Sequence, residues 1–194
     1  MILPTYSYEI DGYAFEVWDH LPKIENLLEL SQVHGNNVVD CLKVGLDTKA
    51  DGIVSTRGSA LAIKTADCIP VAFISEIGTA LIHAGWRGLE NKILLDEKVK
   101  ALNPTKIIIG PHIRLKNYEV SLEFTKNFPK SNNFKEINGR ILFDMSKEAI
   151  NQLEEFYPLA EIVDCELDTF SDPRFFSYRN GDIKKRNWNI LRKI

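Results

Sequence analysis

The sequence predicts an α/β (α+β) fold, and three observations carry that expectation. Short apolar runs of strand length recur along most of the chain, while helical spacing of apolar residues is confined to a few segments. No internal repeat, low-complexity tract or Pro/Gly/Ser-rich linker interrupts the 194 residues, a length that one core can hold, so residues 1–194 are read as a single domain. Finally, polar residues gather where the apolar runs end, which is where proteins of this class keep their chemistry.

In chain order, residues 6–10 and 13–18 alternate around Asp11-Gly12, a strong hairpin signal. Residues 27–33 (LLELSQV) and 38–42 predict two more strands flanking the turn formers His34-Gly35-Asn36-Asn37. Asp51-Gly52 reads as a turn into a short buried strand. Three runs follow at 61–65, 70–74 and 79–84, with Asp67 and Cys68 ending the first, and His83 near the end of the third. After Gly88, apolar residues at Leu89, Ile93, Leu95, Val99 and Leu102 predict a helix that Asn103-Pro104 ends. Residues 106–109 form a β-branched strand before Gly110-Pro111-His112. A short helix is expected over 121–128, a strand over 140–143, and a helix over 145–156 with Asp144 as N-cap and Pro158 beyond it. Residues 162–165 read as the last core strand, and the remainder offers no clear period.

Composition narrows the function. With 44% hydrophobic and 26% charged residues the chain is an ordinary globule, and a net charge of -3 gives no polyanion-binding surface, so no nucleic acid partner is expected. Lys184, Lys185, Arg186, Arg192 and Lys193 read as a solvated basic cluster. The first residues lack the pattern of a signal peptide and no apolar run approaches the ~20 residues that span a bilayer, so a cytoplasmic protein without a membrane partner is expected. Three singly scattered cysteines, Cys41, Cys68 and Cys165, argue against a disulfide framework.

His34, Cys68 and His83 all fall at predicted strand ends. Two imidazoles and one thiolate make a three-ligand set that leaves zinc's fourth position open, as in catalytic sites. The same residues also suit plainer roles: His34 in a turn, Cys68 as a small apolar filler, His83 hydrogen-bonded in the core. Gly85, Trp86, Arg87 and Gly88 join a strand to a helix; close backbone approach and a permanent guanidinium suit a phosphate or a carboxylate. The loop lacks the Lys-Ser/Thr ending of a P-loop, so it is not read as a nucleoside triphosphate site.

The motifs QVHG (32–35), DGIVS (51–55), KTADCIPV (64–71), HAGWRG (83–88), IGP (109–111), YEV (118–120) and FFSYR (175–179) resemble those of the YfiH family, also called the laccase-domain or peptidoglycan editing factor PgeF family. The resemblance implies a mixed-sheet, layered αββα-type sandwich with one metal site made by His34, Cys68 and His83, holding zinc or else copper. It further implies a purine nucleoside phosphorylase acting on adenosine, inosine or methylthioadenosine with phosphate, and adenosine deaminase as a second activity. Cys68, His83 and Arg87 would then be catalytic, with Gly85, Arg87 and Gly88 holding phosphate and Asp67 or Glu119 as candidate proton shuttles. The chain departs from the family at His112, after GP, and at 182–186, where relatives carry Thr-Gly-Arg.

Two other chemistries use the same residues. Cys68 as nucleophile with His83 as base would make a thiol hydrolase, suited to the editing of peptidoglycan precursors. A copper polyphenol oxidase needs several imidazole-rich sites, against four histidines here, and its axial thioether would come from Met1 or Met145.

Overall fold

The computed structural model describes residues 3–45 and 47–194. Among the described residues fourteen strands form three sheets. The hairpin strands β1 (Tyr6–Ile10) and β2 (Tyr13–Trp18) turn at Asp11-Gly12, where both residues take positive φ. They are followed by β3 (Leu27–Leu28), β4 (Val38–Asp40), β5 (Gly52–Ser55), β6 (Ala60–Thr65), β7 (Ile69–Ile74), β8 (Thr79–Ala84) and β9 (Lys106–Ile109). The rest are β10 (Glu119–Val120), β11 (Phe134–Ile137), β12 (Arg140–Phe143), β13 (Glu161–Asp164) and β14 (Asn187–Lys193).

One five-stranded sheet runs β1-β2-β14-β6-β3, one six-stranded sheet β13-β9-β7-β8-β5-β4, and a small one β10-β12-β11. Both large sheets are mixed: β3–β6, β4–β5 and β9–β13 pair parallel, the other neighbours antiparallel. Their facing sides enclose one core, with Phe15, Val17, Leu61, Ile63 and Leu191 opposite Ile53, Ala72, Ile74, Leu81 and Ile108. The other side of the six-stranded sheet presents Val71, Phe73, Ile82 and Ile107 to a helical layer. That double burial is why β7 and β8 read as continuous apolar runs rather than alternating ones. The result is the layered α+β sandwich that the sequence predicts.

Five expectations are corrected. The helix after Gly88 is broken into α1 (Trp86–Glu90), a 3-10 turn at Ile93–Leu95 and α2 (Glu97–Lys100). Lys92 takes a left-handed φ of 58° and Asp96 caps the next segment through Lys98 N–H, so the apolar spacing marks the buried face without a continuous helix. Within 27–33 only Leu27–Leu28 forms a strand, and 38–42 ends early as Asp40 caps a 3-10 turn. The 121–128 segment is a 3-10 turn over Glu123–Asn127. The last strand is β14, which lies between β2 and β6 at the centre of its sheet. By contrast α3 (Met145–Phe156) has the predicted bounds, and its Asp144 cap accepts from Lys147 N–H at 3.0 Å. No helix among the described residues is long and apolar enough to cross a membrane.

Candidate metal centre

Strand register brings the predicted ligands to one edge of the sandwich. Ile69 pairs with Ala84 and Pro70 with His83, so Cys68, just before β7, lies beside the end of β8. Gly52 pairs with Ile82, which puts Asp51 beside His83 from the other side. The ligand atoms of His34, Cys68 and His83 all lie within 4.8 Å of one another, and the two imidazoles meet edge to face at 4.8 Å between centroids.

Asp51 assembles this cluster, and its role is not evident from the sequence. Fully buried, its carboxylate accepts from His34 N–H at 3.0 Å and Gly35 N–H at 2.7 Å, and it meets His83 Nδ1 at 2.8 Å. Its backbone oxygen accepts from His83 N–H at 2.7 Å. One carboxylate thus holds the loop carrying His34, whose φ of 58° is left-handed, and leaves His83 Nε2 as the ring atom free to bind. The DGIVS motif contains this residue, but its local sequence signals only a turn.

The donor set and the space around it fit a metal ion. At Gly85 an added Cβ would stand 3.2 Å from Cys68 Sγ and 3.7 Å from His34 Cδ2, so only glycine leaves the thiol clear. Burial opposes a charged thiol, yet the His83 and His34 imidazoles draw the Cys68 pKa down to about 6. Burial likewise disfavours charge on His83, but the Cys68 thiolate and Asp51 raise its pKa to about 9. A deprotonated sulfur is the form that ligates.

Beside the cluster stands an aromatic ridge. Trp86 packs on Phe124 at 5.3 Å and Tyr118 on Phe124 at 6.2 Å. Arg87, exposed at the start of the five-residue α1, lies over Trp86 at 4.3 Å, and Arg179 lies over Tyr118 at 5.2 Å.

Other predicted residues lie elsewhere or do other work. Both ring nitrogens of His112 are engaged, with Gly110 O at 2.7 Å and Ser146 Oγ at 2.5 Å, and it stands outside the cluster. His20 is exposed beside Asp19, Cys41 is in the core, and burial pushes the Cys165 thiol up to about 11. Phe175 is a core residue and Tyr178 is exposed. Asp67 gives its carboxylate oxygens to Thr169 and to Arg179 N–H, whereas Glu119 pairs with Arg140 on the small sheet. Met145 is buried in the core under the helical layer; Met1 lies outside the described residues.

Residues 16–188 match the family model described as multi-copper polyphenol oxidoreductase laccase. The chain belongs to this family. It is 32% identical to a purine nucleoside phosphorylase of Aquifex aeolicus over 69% of this chain and 66% of that protein. To the purine nucleoside phosphorylase YfiH of Escherichia coli it is 34% identical, over 81% of this chain and 70% of the relative. The chain therefore spans about two thirds of the length of these relatives. The crystal structure of a Neisseria meningitidis protein superposes with a TM-score of 0.76 at 27% identity, covering 86% of this chain and 74% of the other. The family is the one whose motifs the sequence carries.

Proposed function

We propose that this chain is a metal-dependent purine nucleoside phosphorylase of the cytoplasm, with adenosine deamination as a second activity, and that residues 1–194 act as one catalytic domain. The observation that carries the reading is the open His34, Cys68, His83 cluster, held by a buried Asp51 and set next to the arginine-bearing aromatic ridge. The relatives, which are purine nucleoside phosphorylases, supply the substrate class.

In this reading His34, Cys68 and His83 hold the ion, zinc in preference to copper. Zinc in such a set supplies Lewis acidity, enough to bring the pKa of water down to about 7. Arg87 and the backbone of 85–88 hold inorganic phosphate, with the guanidinium offering two parallel N–H donors. A phosphate oxygen forms the new bond to ribose C1′ as the bond to the purine nitrogen breaks; the proton that the hydrogen phosphate gives up ends on the departing purine nitrogen, giving free purine and ribose 1-phosphate. The ridge of Trp86, Phe124 and Tyr118 offers apolar faces beside this reaction.

Elemental analysis of protein purified without added metal, run beside Cys68→Ser, tests this. Both are assayed for adenine and inosine release from adenosine with phosphate. About one zinc per chain, lost with activity in Cys68→Ser, is expected. A second reading rests on the Cys68–His83 pair, whose opposed shifts favour a thiolate beside an imidazolium. A metal-free wild type that releases neither adenine nor inosine, and whose Cys68 is required to hydrolyse an amide or ester, would replace phosphorolysis with thiol hydrolysis, as in precursor editing. Several coppers per chain would instead favour polyphenol oxidation. His20 and His112 stand outside the cluster, which is why that reading ranks last.

A further inference from the structure

Arg87 is not the only guanidinium at the ridge. Arg179, more than ninety residues later in the chain, lies over Tyr118 at 5.2 Å and donates through Nη1 to Glu119 O at 2.8 Å. Tyr118 and Trp86 share Phe124 as a neighbour, so the two arginines sit on the two ends of one aromatic ridge. Among the described residues neither guanidinium forms an ion pair with a carboxylate, and both side chains are exposed. Arg179 N–H bonds Asp67, the neighbour of Cys68, and Arg87 stands two residues after Gly85, where an added Cβ would meet Cys68 Sγ at 3.2 Å, so both arginines flank the metal cluster.

What places Arg179 is Asp67. This residue adjoins Cys68 and takes a left-handed φ of 86°, a conformation that few residues other than glycine, asparagine and aspartate adopt. Asp67 Oδ1 accepts from Thr169 Oγ1 at 2.8 Å, and Oδ2 accepts from Arg179 N–H at 2.7 Å. Its own carbonyl accepts from Ile113 N–H at 3.1 Å. With 9% of its surface exposed and both carboxylate oxygens engaged, Asp67 is built to tie segments together rather than to shuttle protons. It joins the ligand loop to the FFSYR loop, 112 residues apart in sequence.

We propose that Asp67 is a positioning residue that sets Arg179 opposite Arg87, so that two guanidiniums grip the phosphate. The inference rests on the phosphorolysis reading above. A dianion suits two uncompensated guanidiniums better than one, because each supplies charge-assisted hydrogen bonds in a fixed fork. It also gives the FFSYR motif a function that sequence alone left unassigned.

The test measures KM for inorganic phosphate at saturating adenosine, together with calorimetric binding of phosphate and metal content, on the enzyme as purified. Arg179→Ala is expected to raise phosphate KM roughly tenfold to a hundredfold, the range of a lost charge-assisted contact, with KM for adenosine and metal content unchanged. Asp67→Gly and Asp67→Asn both tolerate the left-handed backbone, so they remove or alter the tie without forcing the loop to refold. Asp67→Gly is expected to raise phosphate KM about tenfold and Asp67→Asn less. The double variant Asp67→Gly/Arg179→Ala should be no worse than Arg179→Ala, since one residue acts through the other. Phosphate KM within twofold of wild type, effects that multiply in the double variant, or loss of metal in Asp67→Asn would each overturn the assignment. If wild type binds phosphate but splits no nucleoside, the phosphorolysis reading fails, and weaker calorimetric binding in Arg179→Ala and Asp67→Gly still upholds the clamp. If wild type binds no phosphate, the clamp itself is refuted.

Discussion

His83 and His112 are both buried histidines near the same end of the sandwich, and the structure treats them in opposite ways. His83 meets a carboxylate through Nδ1, leaves its other nitrogen to Cys68 and His34, and has its pKa raised to about 9. His112 spends both nitrogens, on Gly110 O and Ser146 Oγ, while burial and then the Arg114 charge push its pKa down to about 4. Arg114 in turn bonds Ser146 at 3.0 Å and Asp164 at 2.7 Å, closing a network that ties β9 and β13 to α3. A histidine at a strand end is a ligand candidate only when its neighbours leave it a lone pair. At His83, Asp51 does this; at His112, nothing does.

The largest expected effect comes from removing that difference at its source. Asp51→Ala strips a fully buried carboxylate from His83 Nδ1 and from the N–H groups of His34 and Gly35. Leaving such partners unpaired in the interior costs about 3–5 kcal/mol, and loss of a carboxylate behind a ligating histidine weakens metal binding about 10- to 100-fold. Denaturant midpoints and competitive metal titration check both. Metal affinity within twofold of wild type would mean that Asp51 serves the loop alone.

His112→Ala sharpens the contrast from the other side. It removes partners from Ser146 Oγ and Gly110 O and opens a cavity, for a destabilisation of about 2–4 kcal/mol. Metal content and phosphate KM should stay at wild-type values. A coincident loss of metal would show that the two networks are energetically one.

Why the sequence located His83 but not this difference is a matter of distance along the chain. Strand periodicity and strand ends are local properties, and they carried β1, β2, β8, β9 and α3 to their observed bounds. Asp51 and His83 are 32 residues apart and are joined by the pairing of β5 with β8, which no local pattern reports. β14 escaped for a different reason. Its Asn187 and Asn189 are buried polar residues, bonded respectively to Phe176 and Thr65, so a central strand carries none of the usual apolar alternation. The broken helix after Gly88 shows the reverse case, in which the apolar face was readable but the left-handed Lys92 was not.

The opposed shifts at Cys68 and His83 predict a smaller, pH-dependent effect in metal-free protein. A raised histidine stabilises the fold fully below its unfolded value of 6.5 and loses that contribution as pH rises through about 9. A lowered thiol stabilises fully above its unfolded value of 9.0 and loses it as pH falls through about 6. Because each shift is in large part due to the other residue, stability should be greatest between about pH 6 and 9 and fall on both sides. Denaturant midpoints across pH 5 to 10 measure this, with Cys68→Ser flattening the profile. A wild-type profile as flat as that of Cys68→Ser would show that no thiolate–imidazolium pair forms.

Gly85→Ala should produce the smallest change. Gly85 has φ of -74°, which any residue adopts, so the backbone is not strained by the substitution. The new methyl group would stand 3.2 Å from Cys68 Sγ, a separation that asks the thiol to give by a few tenths of an ångström. Stability should therefore fall by about 1 kcal/mol or less, within the range of a mild steric change. Metal affinity should fall several-fold, because a ligand held slightly off its position binds less well, while nothing at His112 changes. Equal metal affinity in Gly85→Ala and wild type would mean that the thiol has room to move and that the ligand geometry is set by Asp51 alone.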